Sequence, residues 1–327
     1  MSRQAQLEVG NTPMVRVDGV YAKLECVNPT GSIKDRMVKF ILDESERLGL
    51  LKKGMVIVEA TSGNTGIALA FFGKQKGYEV KIIMPDNMTE ERKDLIRGFG
   101  AELILSPAKQ GFLQALWIRD NMVREGNCFT TDQFSNGLNT ECHYRTTGQE
   151  IVRQLDAESV SPHAFVAGVG TGGTLMGIAK ALREVNPNIF IAAVEPAESA
   201  VMSGEEPGPH EIGGIGDGFV PALVKDEEGT LSPVIEEVMQ VTSDEAISES
   251  KKLAKGFGYC VGASSGANFL AARRLKSRFE NVVTVFPDGF TRYESLGLGP
   301  SGRCGFHGSA CRRHNEIVAS LRKAAKP

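Results

Sequence analysis

Lys34 lies in a turn-rich segment, Asn28-Pro29-Thr30-Gly31-Ser32-Ile33-Lys34-Asp35-Arg36. Two loops of small residues follow it, Thr61-Ser62-Gly63-Asn64-Thr65-Gly66 and Gly168-Val169-Gly170-Thr171-Gly172-Gly173-Thr174. A solitary lysine carries no message, because most are solvated. A lysine framed by Pro and Gly, together with two loops rich in backbone N–H groups, has the parts to hold an aldehyde that bears a phosphate. The amine forms a Schiff base with the carbonyl, one loop takes the phosphate, and the other takes an amino-acid carboxylate. That is the chemistry of pyridoxal phosphate (PLP).

The loops need elements to position them, and each follows a strand-like run and opens a helix-like one. A helix N-terminus offers free N–H groups and the positive end of the macrodipole to an anion. Taken alone, neither loop is decisive. Gly168-x-Gly170-x-x-Gly173 also fits a dinucleotide fingerprint, with Glu195 ending the next strand where a ribose-binding acid belongs. It equally fits a tight turn without a ligand. The Thr61 loop suits a carboxylate and a phenolic oxygen, or simply a well-capped helix start. Gly262-Ala263-Ser264-Ser265-Gly266 is a third such loop, ahead of a helix over 267–277, and a serine there can act as its cap.

Residues 55–59, 80–84 and 102–105 read as strands, alternating with helices over 67–77 and 89–99. Thr89 suits the N-cap of the second helix and Gly100 its C′ position. A second set comprises strands at 164–167, 189–194 and 282–286 and an amphipathic helix over 174–185. The repetition predicts an α/β fold of parallel sheets covered by helices. The stretch 203–218, rich in Gly, Pro and acid, reads as a mobile surface loop. No internal repeat or low-complexity tract occurs.

The 327 residues suffice for two α/β domains, and 41% hydrophobic with 24% charged residues is ordinary for a soluble enzyme. A net charge of −3 without a long basic run argues against nucleic acid as a partner. The N-terminal residues lack an apolar signal core, and no apolar stretch is long enough to span a bilayer. Six cysteines in a chain this long do not form a disulfide scaffold, so a cytoplasmic location is expected.

In combination these features are more specific. The chain resembles the PLP-dependent cysteine synthases (O-acetylserine sulfhydrylases) and the related cystathionine β-synthase core. The resemblance runs through Gly10-Asn11-Thr12-Pro13, Lys23-Leu24-Glu25, the Asn28–Arg36 segment and Glu59–Gly66. It continues through Met84–Met88, Gln133-Phe134-Ser135-Asn136, Thr146–Glu150, Gly170–Thr174 and Ser264-Ser265-Gly266, about the first 290 residues. It displaces the nicotinamide reading. It implies the two-domain fold type II of PLP enzymes, akin to the tryptophan synthase β-subunit. A smaller mobile domain would cover 38–140 and a larger cofactor-binding domain 1–37 plus 141–327.

The resemblance also implies roles. Lys34 would carry the cofactor and later serve as acid and base at the substrate α-carbon. Asn64 would hold the ring's phenolic oxygen, and Thr61, Ser62, Thr65 and Gln133 the substrate carboxylate. Gly170, Thr171, Gly172, Gly173 and Thr174 would hold the phosphate, and Ser264 the pyridine nitrogen. A hydroxyl at Ser264 cannot keep that nitrogen protonated as a carboxylate would. The ring is then a weaker electron sink, which favours loss of a β-leaving group over transamination. The implied reaction is β-replacement on an activated serine with sulfide, giving cysteine. A homodimer and a serine acetyltransferase partner belong to the same expectation, as does the absence of regulatory tandem domains.

Two places depart from the pattern. Asp217, in Ile215-Gly216-Asp217-Gly218-Phe219, stands where the O-acetylserine enzymes carry a small apolar residue. A carboxylate there can be a general base on water or on a hydroxyl or thiol, turning the enzyme toward cysteine breakdown or toward condensation with serine or homocysteine. It can also be a loop aspartate held by backbone N–H groups. Pro287-Asp288-Gly289-Phe290-Thr291-Arg292-Tyr293 differs from the usual Pro-Asp-Ser-Gly-x-Arg-Tyr. In the tail, Cys304, His307, Cys311 and His314 have zinc-ligand residue types at non-standard spacing, and no metal is expected. Cys26, Cys128, Cys142 and Cys260 read as small core residues.

Overall fold

The computed structural model describes residues 8–61 and 63–299. Two sheets organise it. The larger has strands β1 (Met14–Val17), β2 (Val20–Leu24), β7 (Ala164–Gly168), β8 (Phe190–Pro196), β9 (Glu237–Val241) and β10 (Val282–Phe286), in spatial order β1-β2-β10-β7-β8-β9. The smaller has β3 (Val56–Ala60), β4 (Glu79–Pro85), β5 (Glu102–Ser106) and β6 (Cys128–Phe129), in order β5-β4-β3-β6. Every pairing is parallel except β1 with β2, whose tight turn uses positive φ at Asp18 and Gly19.

The helices are α1 (Lys34–Arg47), α2 (Asn64–Gln75), α3 (Glu90–Gly98), α4 (Gly111–Glu125), α5 (Leu138–His143), α6 (Gln149–Ala157), α7 (Gly173–Val185), α8 (Ser243–Phe257) and α9 (Ala263–Leu275). Strand β10 shows why both faces of the large sheet must be covered. Val282 and Phe286 enter a core with α8 and α9, while Val283 and Val285 enter a second core with α6 and α7. Such near-continuous apolar strands are the mark of a parallel sheet buried on both sides. The small sheet packs α1, α2 and α3 on one face and α4 on the other.

Several boundaries differ from the sequence reading, each for a local reason. Helices α2 and α9 begin earlier than expected, so Asn64 and Ser264 are already helical, and glycines 63 and 262 hold the N-cap positions with no side-chain cap. Thr89 is the N-cap of α3 but its hydroxyl makes no cap bond; it donates to the Arg292 carbonyl at 3.4 Å. Gly100 does occupy the C′ position, at φ +86°. The stretch 203–218 is more than surface, since Ile212 and Ile215 are buried in the large core. Of the four cysteines in the described residues, only Cys142 is fully buried.

Candidate active site

Lys34 opens α1, and its turn is stitched to the loop that follows β10. Ile33 N–H donates to the Pro287 carbonyl at 2.8 Å, and Arg292 Nη2 donates to the Thr30 carbonyl at 2.5 Å. Asp35 accepts from the Thr30 N–H and hydroxyl. Two residues along, Arg36 grips Glu25 and Glu150 with bidentate pairs of 2.7–2.8 Å, and Lys23 Nζ reaches Glu150 at 2.9 Å. Burial opposes ionisation of Glu150, but the Arg36 hydrogen bonds and charge outweigh it and hold the carboxyl at about 2. This network locks the start of α1. The Lys34 amine makes no hydrogen bond among the described residues: burial lowers its pKa, against the charges of Asp217 and Asp288.

The Lys34 side chain lines a cavity at the carboxyl ends of β3, β7 and β10, where the N-termini of α1, α2, α7 and α9 converge. Thr61, Asn64, Thr65, Gln133, Gly170, Thr171, Gly172, Thr174, Asp217 and Ser264 line it as well. Gly173 sits directly behind them as the first residue of α7. Ser62 lies outside the described residues, as does the Cys304, His307, Cys311 and His314 tail. All other expected site residues therefore meet at one place.

The local reasons are visible. Gly172 adopts φ +87°, a left-handed conformation that favours glycine, and a Cβ on Gly173 would come within 2.1 Å of Asn139 Oδ1. The loop thus folds tightly onto α5. Asn139 Nδ2 donates to the Thr171 hydroxyl and to the Gln133 carbonyl, both at 2.9 Å, while the Thr65 hydroxyl donates to Gln133 Oε1 at 2.6 Å. Thr174 contacts His143 Nε2 at 3.3 Å, and His143 Nδ1 contacts the Thr147 hydroxyl at 2.9 Å. Burial, then the charges of Lys34 and Arg36, keep this imidazole neutral. It precedes a π-helical turn, Tyr144–Gly148, a distortion common beside functional sites.

Asn64 links the two sheets. Its Nδ2 donates to Asp288 Oδ2 at 2.7 Å, and Tyr293 donates its hydroxyl to the same oxygen at 2.8 Å. Its Oδ1 is buried with no partner among the described residues. Burial raises the Asp288 pKa against the charge of Arg292. Asp217 lines both the inner cavity and a larger outer cleft of about 640 Å³. Burial raises its pKa, offset by Lys34 and His210. It makes no backbone hydrogen bond among the described residues, and its carboxylate lines the cavity. Glu195, by contrast, is consumed by the turn after β8, accepting from Met202 N–H at 2.8 Å and Ser203 N–H at 3.1 Å. It is not available to a ribose.

Asp288, His143, Asn139 and Arg92 were not singled out from the sequence. Asp288 had a signal, since it stands in a segment that departs from the family pattern. His143 and Asn139 flank a quoted motif, but their contacts span about 30 residues and no local spacing announces them.

Residues 5–288 match the family model described as pyridoxal-phosphate dependent enzyme. Cysteine synthase of Staphylococcus aureus (strain N315) is 40% identical over 301 residues, 89% of this chain and 94% of its own. A hydrogen sulfide-producing enzyme from Fusobacterium nucleatum superposes with TM-score 0.83 at 39% identity, covering 96% of this chain and 93% of its own. The O-acetylserine dependent cystathionine β-synthase of Helicobacter pylori gives TM-score 0.82 at 35% identity, covering 89% and 96%.

Proposed function

The chain belongs to the pyridoxal-phosphate dependent enzymes, and from that premise we propose that it carries out β-replacement on an activated serine, with sulfide as nucleophile and cysteine as product. PLP is its cofactor. When bound, PLP supplies an electron-withdrawing ring conjugated to the substrate α-carbon. The residues present fit it. The Lys34 amine, whose pKa burial lowers, lines the cavity together with Asn64, whose Oδ1 is buried without a partner among the described residues, and α7 starts there from a glycine N-cap, its first N–H in only a long 3.4 Å contact with the Thr171 hydroxyl.

In this reading Lys34 holds the cofactor and exchanges a proton at the substrate α-carbon. Gly170 to Thr174 bind the phosphate, with His143 bracing Thr174. Asn64 meets the phenolic oxygen. Thr61, Ser62, Thr65 and Gln133 bind the carboxylate, and the Thr65–Gln133 bond pre-orients two of them. The observation that carries β-replacement is Ser264. It is buried at the start of α9 and lines the cavity, whereas Asp288 does not. A hydroxyl can hydrogen-bond a ring nitrogen without keeping it protonated.

Asp217 favours a second reading beside the first. It lies at the junction of cavity and cleft, close enough to Lys34 for each to shift the other. Such a base assists water or an amino-acid thiol or hydroxyl, which sulfide does not need. Cysteine breakdown with sulfide release and condensation with homocysteine or serine are its reactions; one similar structure is named a hydrogen sulfide-producing enzyme and another an O-acetylserine dependent cystathionine β-synthase. The test is direct. PLP-loaded protein is given O-acetylserine with sulfide, and separately cysteine alone, and cysteine and sulfide are followed. Cysteine formation in the first assay supports the lead reading. Sulfide release only in the second moves the enzyme to the cysteine-breakdown form of the Asp217 reading, and neither product overturns cysteine synthesis and cysteine breakdown alike.

We further propose that residues 38–140 close as a unit over the substrate, that the enzyme is a cytoplasmic homodimer, and that serine acetyltransferase is a partner. These rest on the family resemblance, and the Asn64–Asp288 contact is the point at which closure would be felt. Among the described residues no helix is long and apolar enough to cross a membrane.

A further inference from the structure

Arg92 differs from the other deeply buried arginines. Arg36 pairs with Glu25 and Glu150, Arg119 with Glu59 and Asp120, and Arg292 donates to the Thr30 carbonyl. Arg92, only 8% exposed, has no ion pair and no side-chain hydrogen bond among the described residues. Its guanidinium lies over the Tyr293 ring, 4.9 Å from the centroid, and it lines the outer cleft. Its stem covers Gly63, where a Cβ would come within 2.6 Å, and its Nη2 would be 2.4 Å from a Cβ on Gly213. Two glycines thus leave it room, and an aromatic face fixes its plane. Asp288 feels its charge, but no hydrogen bond or ion pair joins the two among the described residues: Asn64 and Tyr293 occupy Oδ2, and Oδ1 stays unpartnered. A buried guanidinium held in place and left without an anion is costly unless an anion arrives.

The cleft that Arg92 faces joins the inner cavity through Asn64, Gly214, Ile215 and Asp217, which line both. Its volume of about 640 Å³ far exceeds what a sulfide ion needs. Glu211 and His210 also line it. His210 is engaged with the Gly216 carbonyl at 2.8 Å and with the Ile212 N–H at 3.2 Å, whereas Glu211 is exposed at the rim. The cleft therefore offers one planar cation, a carboxylate at the rim and a second carboxylate at the throat. A zwitterion complements that arrangement better than a dianion does. From this we propose that Arg92 binds the α-carboxylate of a second amino acid, whose thiol then points past Asp217 into the cavity. The inference rests on the second, Asp217 reading of β-replacement and names its nucleophile class. A phosphate on the first substrate shares the anion chemistry, but it would sit against both carboxylates.

The test compares nucleophiles that differ in charge. PLP-loaded enzyme with O-acetylserine is assayed with homocysteine, 2-mercaptoethanol and sulfide, in wild type, Arg92→Met and Arg92→Lys, with melting curves to verify folding. Loss of a charge-assisted hydrogen-bond pair corresponds to roughly 10–100-fold in binding. Arg92→Met should raise the KM for homocysteine by about that factor, with kcat changed less than about 3-fold and the KM for 2-mercaptoethanol and sulfide unmoved. Arg92→Lys should recover part of the loss. Equal effects on all three nucleophiles overturn the proposal, because Arg92 would then act on the Gly63 loop. With O-phosphoserine assayed as a second donor beside O-acetylserine, an effect confined to the KM of O-phosphoserine also overturns it, placing a phosphate there. Wild-type turnover with sulfide but none with homocysteine sinks the subsite while leaving β-replacement standing; no turnover with any nucleophile sinks both.

Discussion

Two buried polar centres lie within one turn of α1. Around Arg36, every charge has an answer: Glu25, Glu150, Lys23 and Thr12 close a network in which hydrogen bonds outnumber the groups that need them. Around Lys34, two residues earlier, the opposite holds. Its amine has charges nearby but no hydrogen bond among the described residues, Asn64 Oδ1 and Asp288 Oδ1 are orphaned, and Asp217 is raised by burial. Burial is common to both centres, so burial does not separate structure from function here. Satisfaction does. A satisfied centre stiffens the fold, and an unsatisfied one holds its donors and acceptors ready for a ligand.

The contrast breaks most visibly at Lys34. Lys34→Ala should abolish turnover and covalent retention of PLP while leaving the urea midpoint unchanged or higher, because it removes an amine that burial disfavours. Borohydride trapping followed by mass spectrometry, beside an unfolding curve, checks both halves. A variant that loses stability along with PLP would mean that Lys34 is part of the fold's own framework.

Next in size is Asp217. Asp217→Ala should slow reactions with water, serine or homocysteine by roughly 10²–10⁴-fold and barely touch sulfide addition. The base works only when ionised, and burial raises its pKa, so the acid limb of the wild-type rate profile should lie above the ordinary aspartate range and vanish in the variant. Equal losses with every nucleophile would make Asp217 a shaper of the 212–219 loop.

Arg36 supplies the mirror image. Removing one partner of a buried ion pair costs about 3–5 kcal/mol, so Arg36→Ala should lower stability by that order and impair activity only through the fraction unfolded. Urea titration measures it. An Arg36→Ala protein of normal stability but no activity would dissolve the distinction between the two centres.

What the sequence made legible follows the same division. The β-loop-α rhythm and the apolar strands gave the parallel sheets, because both faces of β10 must be buried whatever the ligand. The glycine loops and Lys34 were legible because their chemistry is local: a loop after a strand and before a helix carries its N–H groups with it. Asp288 binding Asn64 was not legible, since 224 residues separate them and only the meeting of the two sheets joins them. The early starts of α2 and α9 were hidden for a related reason. Their N-caps are glycines without side-chain caps, and the usual Ser/Thr signal pointed a few residues too far along. Nothing local singles out Arg92 in the 89–99 helix; its lack of an ion-pair partner among the described residues is a property of tertiary structure alone.

A smaller effect sharpens the satisfied side. The folded carboxyl of Glu150 is held near 2, below its unfolded value of about 4.5. As pH falls through 4.5 the unfolded chain takes up the proton first, so native stability should decline between pH 4.5 and 2 and level off below. Glu150→Gln should begin less stable at neutral pH and show a shallower slope across that window. Identical slopes in the two proteins would show that the Arg36 network does not govern acid unfolding.

The smallest expected change belongs to Ser264, and it probes the unsatisfied side most finely. Its hydroxyl is buried and lines the cavity, but as a neutral group it can offer the ring nitrogen only a single hydrogen bond. Such a bond is worth about 0.5–1.5 kcal/mol, so Ser264→Ala should retain PLP and lower turnover by roughly 2–12-fold. Ser264→Asp adds a carboxylate at the same point. It should keep the ring nitrogen protonated, strengthen the electron sink and slow loss of the β-leaving group, even though PLP binds at least as well. Stopped-flow measurement of leaving-group release, before any nucleophile is added, separates this from effects on the second half-reaction. A Ser264→Asp enzyme that releases the leaving group faster than wild type would mean that a neutral ring is not what directs this site to β-replacement, and Ser264 would revert to a helix-start residue with no electronic role.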